Sequence, residues 1–156
     1  MTYRPQFAFP APPPGYRDEQ FHYSYDGTNC ALLANPIAAG ALTGSIILLT
    51  EADAPFIARA LKIQLGTAIS PLWFQLVTPR GDYMQSVPVP LALYAGNIDG
   101  LPIAGQYFVP FDSEIECPAG SNFTLFLYNP TGGSVDAPEV TLYGVKRRKP
   151  MARRAA

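Results

Sequence analysis

Proline and glycine interrupt this chain so often that long helices have little room in it. Seventeen prolines and thirteen glycines are spread over 156 residues. Proline fixes φ and removes a backbone donor, so it breaks helices and is confined in sheets to edges and turns. Proline usage is about twice the ordinary level, and the 15% of charged residues lies well below the usual quarter or so, which argues against a helical bundle or coiled coil. The length suits one domain able to bury a core without staples. No run approaches the roughly 18 apolar residues of a membrane span, and the opening MTYRPQFAFPAPPPGY has neither a basic nor an apolar leader region. A soluble, unexported all-β protein is the expectation.

Between the breaks the chain reads as strands. Phe21, Tyr23 and Tyr25 alternate with His22 and Ser24 before an Asp26-Gly27 turn. Residues 42–50 (LTGSIILLT) are rich in strand formers. In residues 55–65 Leu61, Ile63 and Leu65 alternate with Lys62 and Gln64. Glu51, Asp53 and Pro55 could instead open a helix, yet the period of two is cleaner than any helical spacing. Residues 72–78 form another strand, closed by Pro79 and an Arg80-Gly81-Asp82 turn. Pro88 and Pro90 reduce residues 84–94 to an edge or loop, and residues 97–105 read as loop. Residues 106–111, 122–129 and 139–147 complete the set, parted by turns at Pro118–Ser121 and Asn129–Gly133. This rhythm predicts an antiparallel β-sandwich of about eight strands over residues 20–147, jelly-roll-like in strand count.

Two appendages flank that body. Residues 1–19 hold five prolines interleaved with Tyr3, Phe7, Phe9 and Tyr16, an extended arm whose rings are unfavourable in water and call for a groove on the same body or on a neighbouring subunit. At the other end, Lys146, Arg147, Arg148, Lys149, Arg153 and Arg154 fall in the last eleven positions, leaving a net charge of −7 on residues 1–145. Residues 148–156 are therefore expected to be a basic tail, solvated or laid on an acidic partner. DNA is the less expected target, since no aromatics interleave with the bases.

The strand at residues 122–129 is apolar on both sides, with Phe123, Leu125 and Leu127 on one and Phe126 and Tyr128 on the other. A two-layer sandwich buries one face, so the second set needs the arm, a partner or another copy, and a homo-oligomer is the economical expectation. Catalytic material is sparse. His22 is the single histidine, and no nucleophile elbow, phosphate loop or dinucleotide turn is present. Asp112, Glu114 and Glu116 sit two apart along one strand face, where a charged edge that resists unwanted pairing is the expected role rather than a glycosidase pair. Glu51 and Asp53 lack the further oxygens of a calcium site. Cys30 and Cys117 form no metal-binding pair, and two free thiols are expected in preference to a bridge. No catalytic, cofactor-binding or metal-binding residue is assigned, and the chain is not expected to be an enzyme.

Residues 50–56 (TEADAPF), opening a strand that carries Arg59, Leu61 and Ile63, resemble an ADAPF-x-x-R segment of small β-sandwich virion proteins of tailed bacteriophages. The Pro118–Ser121 turn, the strand ending at Asn129 and the closing LYGVK of residues 142–146 are similar to the C-terminal half of the same group. The resemblance implies a virion structural protein of head-decoration, minor-capsid or neck-collar type, assembled in the host cytoplasm. It would act without catalysis or cofactor, as a homo-oligomer on virion proteins such as the major capsid or portal. The alternative is a receptor- or carbohydrate-binding module of a phage tail or fibre, with Trp73 or tyrosines as a sugar platform.

Overall fold

The computed structural model describes residues 10–66, 71–94 and 105–149. Its strands are β1 (Arg17–Tyr25), β2 (Ile46–Leu49), β3 (Phe56–Gln64), β4 (Trp73–Val77), β5 (Val89–Pro90), β6 (Gln106–Cys117), β7 (Asn122–Tyr128) and β8 (Glu139–Arg148). Two short 3-10 turns, Ala31–Leu33 and Leu91–Tyr94, are the helical elements among the described residues. The chain is thus an antiparallel all-β sandwich of two four-stranded sheets, ordered β1-β8-β3-β6 and β2-β7-β4-β5.

The order follows from a nested set of pairs. β1 pairs with β8, β2 with β7, β3 with β6 and β4 with β5. A chain folded once into a long double ribbon makes these four pairs, and rolling the ribbon up adds the contacts of β3 with β8 and β4 with β7. Each sheet points one side inward, and the sequence alternates to suit. In β7, Phe123, Leu125 and Leu127 are buried while Thr124, Phe126 and Tyr128 are half-buried on the outer side. Phe111 of β6 and Phe123 of β7 meet across the layers with ring centroids 6.1 Å apart. Phe56, Phe74, Leu48, Leu61 and Leu76 belong to the same core, each worth about 1.5–3 kcal/mol when removed from water.

Three local features fix the register. Pairing of β3 with β8 shifts between Ala58 and Ala60, making Arg59 the extra residue of a bulge. Gly144 lies opposite Ala58 there, and a Cβ on it would stand 2.0 Å from the Ile57 carbonyl oxygen, so the strands approach too closely for a side chain. Asn129, fully buried after β7, donates from its amide to the carbonyls of Ile37, Ala38 and Gly133 and accepts from Thr131. It thereby ties the β7–β8 turn to the β1–β2 connection.

The expected strands are all present, with shifted ends. β1 begins at Arg17, inside the expected arm, and β8 runs through Arg148, inside the expected tail. β6 continues to Cys117 instead of ending at Phe111. Glu51 and Asp53 belong to the turn before β3, and no helix forms there.

Candidate assembly surface

Three of the bases near the C-terminus, Lys146, Arg147 and Arg148, meet acids of the same chain where β8 lies beside β1 and the turn before β3. The pairing sets Arg17 opposite Arg148, Asp18 opposite Arg147 and Glu19 opposite Lys146. Arg147 grips Asp18 with two hydrogen bonds, Nε at 2.9 Å and an Nη at 3.0 Å. Arg148 donates to Glu19 at 3.0 Å and to Asp53 at 2.8 Å. Arg59 at the bulge meets Glu114 at 3.5 Å, which Arg147 approaches at 3.9 Å. The Arg147 guanidinium holds the Asp18 carboxyl below the usual carboxylate range.

Lys146 turns inward and is 3% exposed. Burial pulls its ammonium toward the neutral form, but Glu51 at 2.5 Å and Asp53 at 3.1 Å outweigh this and hold its pKa above the ordinary value. The nitrogen also sits 3.9 Å from the centroid of the Phe21 ring. The TEADAPF segment thus has a structural use. Glu51 and Asp53 close over Lys146, the Glu51 amide donates to the Tyr23 hydroxyl at 3.1 Å, Ala52 abuts Gly120, and Phe56 enters the core.

Arg148 is therefore a correction to the expected tail, being the last residue of β8, and Lys146 and Arg147, expected at the end of that strand as bases for a partner, are ion-paired within the chain. Lys149 follows β8, with its ammonium 5.7 Å from the Tyr16 ring. Arg153 and Arg154, and the arm residues Tyr3, Phe7 and Phe9, lie outside the described residues. Tyr16 is exposed after a turn in which its amide donates to the Pro13 carbonyl and Gly15 takes φ +81°.

The outer side of the β2-β7-β4-β5 sheet carries no charged strand residue and is largely apolar, with Gln75, Asn122 and Thr124 among its outward positions. Leu42 is 57% exposed, Leu49 56%, Ile47 46% and Trp73 38%. Register places Trp73, Tyr128 and Leu42 side by side across three chain segments, with Trp73 edge-on to Tyr128 at 6.4 Å. Gln75 and Phe126 pair in the next outward row, and Val77, Thr124 and Ile47 form the one after it. Phe126 and Tyr128, the aromatics that the alternation points outward, are half-buried by these neighbours. Ile47 and Leu49 carry more of the exposed surface; the run IILL is apolar at every position, so a strand there puts apolar residues on both faces.

The other candidates sit elsewhere. His22 is exposed on β1 beside Tyr143, with centroids 5.9 Å apart. Asp112 and Glu116 are exposed on β6, whereas Glu114 is half-buried between arginines. Cys30 and Cys117 are free, and burial pushes the Cys117 thiol up to about 12. Among the described residues no three His, Cys, Asp or Glu side chains gather as metal ligands would. A shallow groove of about 210 Å³ lies beside the start of β2, lined by Leu32, Asn35, Pro36, Ile37 and Thr43 without a charged group. No helix among the described residues is long and apolar enough to cross a membrane. Compared with known families and with curated proteins, the chain matches neither a family nor an individual protein.

Proposed function

We propose that this chain is a structural assembly protein of a tailed-bacteriophage particle, a decoration, minor-capsid or neck-collar subunit. It acts as a homo-oligomer seated on other virion proteins, such as the major capsid or portal, and performs no catalysis. The observation that carries the reading is the outer face of β2, β7 and β4, whose strands hold no charged residue and which leaves Leu42 and Trp73 exposed at one end and Ile47 and Leu49 exposed at the other. Burying such a face contributes about 25 cal/mol per Å² without any chemistry, and contiguous patches of this kind mark interaction surfaces. The nested pairs support a jelly roll, an architecture that viral capsid and lectin domains share. That support is fold-level analogy, as is the likeness of TEADAPF to phage sandwich proteins. Light scattering at tens of micromolar is expected to give a discrete multiple of the chain mass, and mass spectrometry of purified particles is expected to find the chain in them. A monodisperse monomer absent from particles would refute the proposal.

Trp73, upright against Tyr128 on the same face, favours a second reading as a carbohydrate-binding module. Selective binding on a glycan array, abolished by Trp73→Ala, would decide for it.

A further inference from the structure

We propose that residues 6–9 of one copy add as a fifth strand to the free edge of β2 in a second copy. The proposal rests on the homo-oligomer reading above and names the contact that makes the oligomer.

Sheets end in strands whose outer backbone groups lack partners, and proteins blunt such ends with charge, proline or shortness. Three of the four end strands are blunted in this way. β1 carries Arg17, Asp18 and Glu19, β6 carries Pro110, Asp112, Glu114 and Glu116, and β5 is the two residues Val89–Pro90. β2 is different: its residues are Ile-Ile-Leu-Leu, flanked by Gly44, Ser45 and Thr50.

The free groups on that edge can be assigned. Thr50 donates its amide to the Ser121 carbonyl of the neighbouring segment, and the register continues through Leu48 with Phe123 and Ile46 with Leu125. In an antiparallel ladder alternate residues bond to the same neighbour, so Ile47 and Leu49 turn their backbone the other way. The Leu49 carbonyl indeed accepts from the Tyr25 hydroxyl at 2.7 Å on that side. Among the described residues the Ile47 amide and carbonyl and the Leu49 amide are left for an incoming strand, a short site.

The arm contains a matching short segment. Pro5 and Pro10 bracket Gln6-Phe7-Ala8-Phe9, four residues that keep their amide donors. Phe7 and Phe9 are two apart and share one face of a strand. Laid opposite Ile47 and Leu49, they extend the apolar outer face by two rings. Residues 10–16 are exposed at every position except Pro12, so this stem is not packed into the core of its own body, and a turn at Pro13–Tyr16 leads into β1. A stem that is not packed into its own core can carry the segment to a second copy.

Crosslinking of full-length chains tests this. One population carries Phe7→Cys and a second, differently tagged, carries Ile47→Cys, both in a Cys30→Ser background. A control population carries His22→Cys on the exposed side of β1. Under mild oxidation the 7–47 disulfide between chains is expected to form at least about tenfold faster than the 7–22 disulfide, because docking raises effective concentration. A second variant, Ile47→Pro, removes an outward donor while sparing the ladder to β7, and is expected to weaken association at least about tenfold with the melting temperature held. Equal 7–47 and 7–22 rates in a persisting oligomer would overturn the strand addition and leave the assembly reading intact. Closure of a doubly substituted chain on itself at high dilution would also overturn it. A chain that stays monomeric throughout would defeat both readings.

Discussion

Lys146 is a charged side chain in a place where charges are costly, and its partners explain how it is tolerated. The ammonium is buried while Glu51 and Asp53 reach solvent, so the two sides of the interaction are unequal. Removing the cation leaves two carboxylates that water can solvate; removing the anions leaves a buried ammonium. Lys146→Met is therefore expected to fall within about 1 kcal/mol of the parent. Glu51→Gln with Asp53→Asn should destabilise the fold more than Lys146→Met does, because it leaves the buried ammonium without its carboxylates. Urea unfolding of the two variants checks the asymmetry. Asp18 makes a pH prediction. Its pKa is lowered by Arg147, so its contribution is complete above the unfolded value near 3.9 and is lost as pH falls through the folded value. Asp18→Asn should cost about 1–2 kcal/mol at pH 7 and flatten the decline in stability below pH 4. An unchanged acid limb in thermal melts would contradict this assignment.

Strands are legible in the sequence wherever apolar residues alternate between turn residues, as in Phe21–Tyr25 and Asn122–Tyr128. Which strand lies beside which is not legible, because pairing across more than a hundred residues leaves no local pattern. That is why the Asp18, Glu19, Arg147 and Arg148 side chains read as two loose charged ends and fold as one ladder. The bulge at Arg59 is equally silent until Gly144 is placed against it. A methyl there would meet the Ile57 carbonyl, so Gly144→Ala should cost about 3 kcal/mol or more, read as a drop in denaturation midpoint. The arm divides at the same boundary. Deleting residues 1–10 is expected to leave the melting temperature nearly unchanged. Deleting 1–19 removes Asp18 and Glu19 from β1 and should lower it by several degrees.

At the scale of the whole molecule, two surfaces compete to explain association, and the internal use of the bases decides between them. With Lys146, Arg147 and Arg148 committed to Glu51, Asp53, Asp18 and Glu19, association through the apolar sheet face should change little between about 0.1 and 1 M sodium chloride, where exposed charges are screened. It should strengthen in sulfate, which favours apolar burial. The apolar face is partly readable, since alternation sends Phe126 and Tyr128 outward, but the exposed weight of Ile47 and Leu49 emerges only from their place on a strand at the sheet's end, and that of Leu42 from its bridge to Tyr128. Sedimentation velocity of the full chain beside a Leu49→Glu/Trp73→Glu variant is the most direct test. Both side chains are exposed, so the variant should fold with a similar melting temperature. The parent is expected to sediment as an oligomer at tens of micromolar and the variant as a monomer. A monomeric parent, or a variant that assembles as the parent does, would contradict the account.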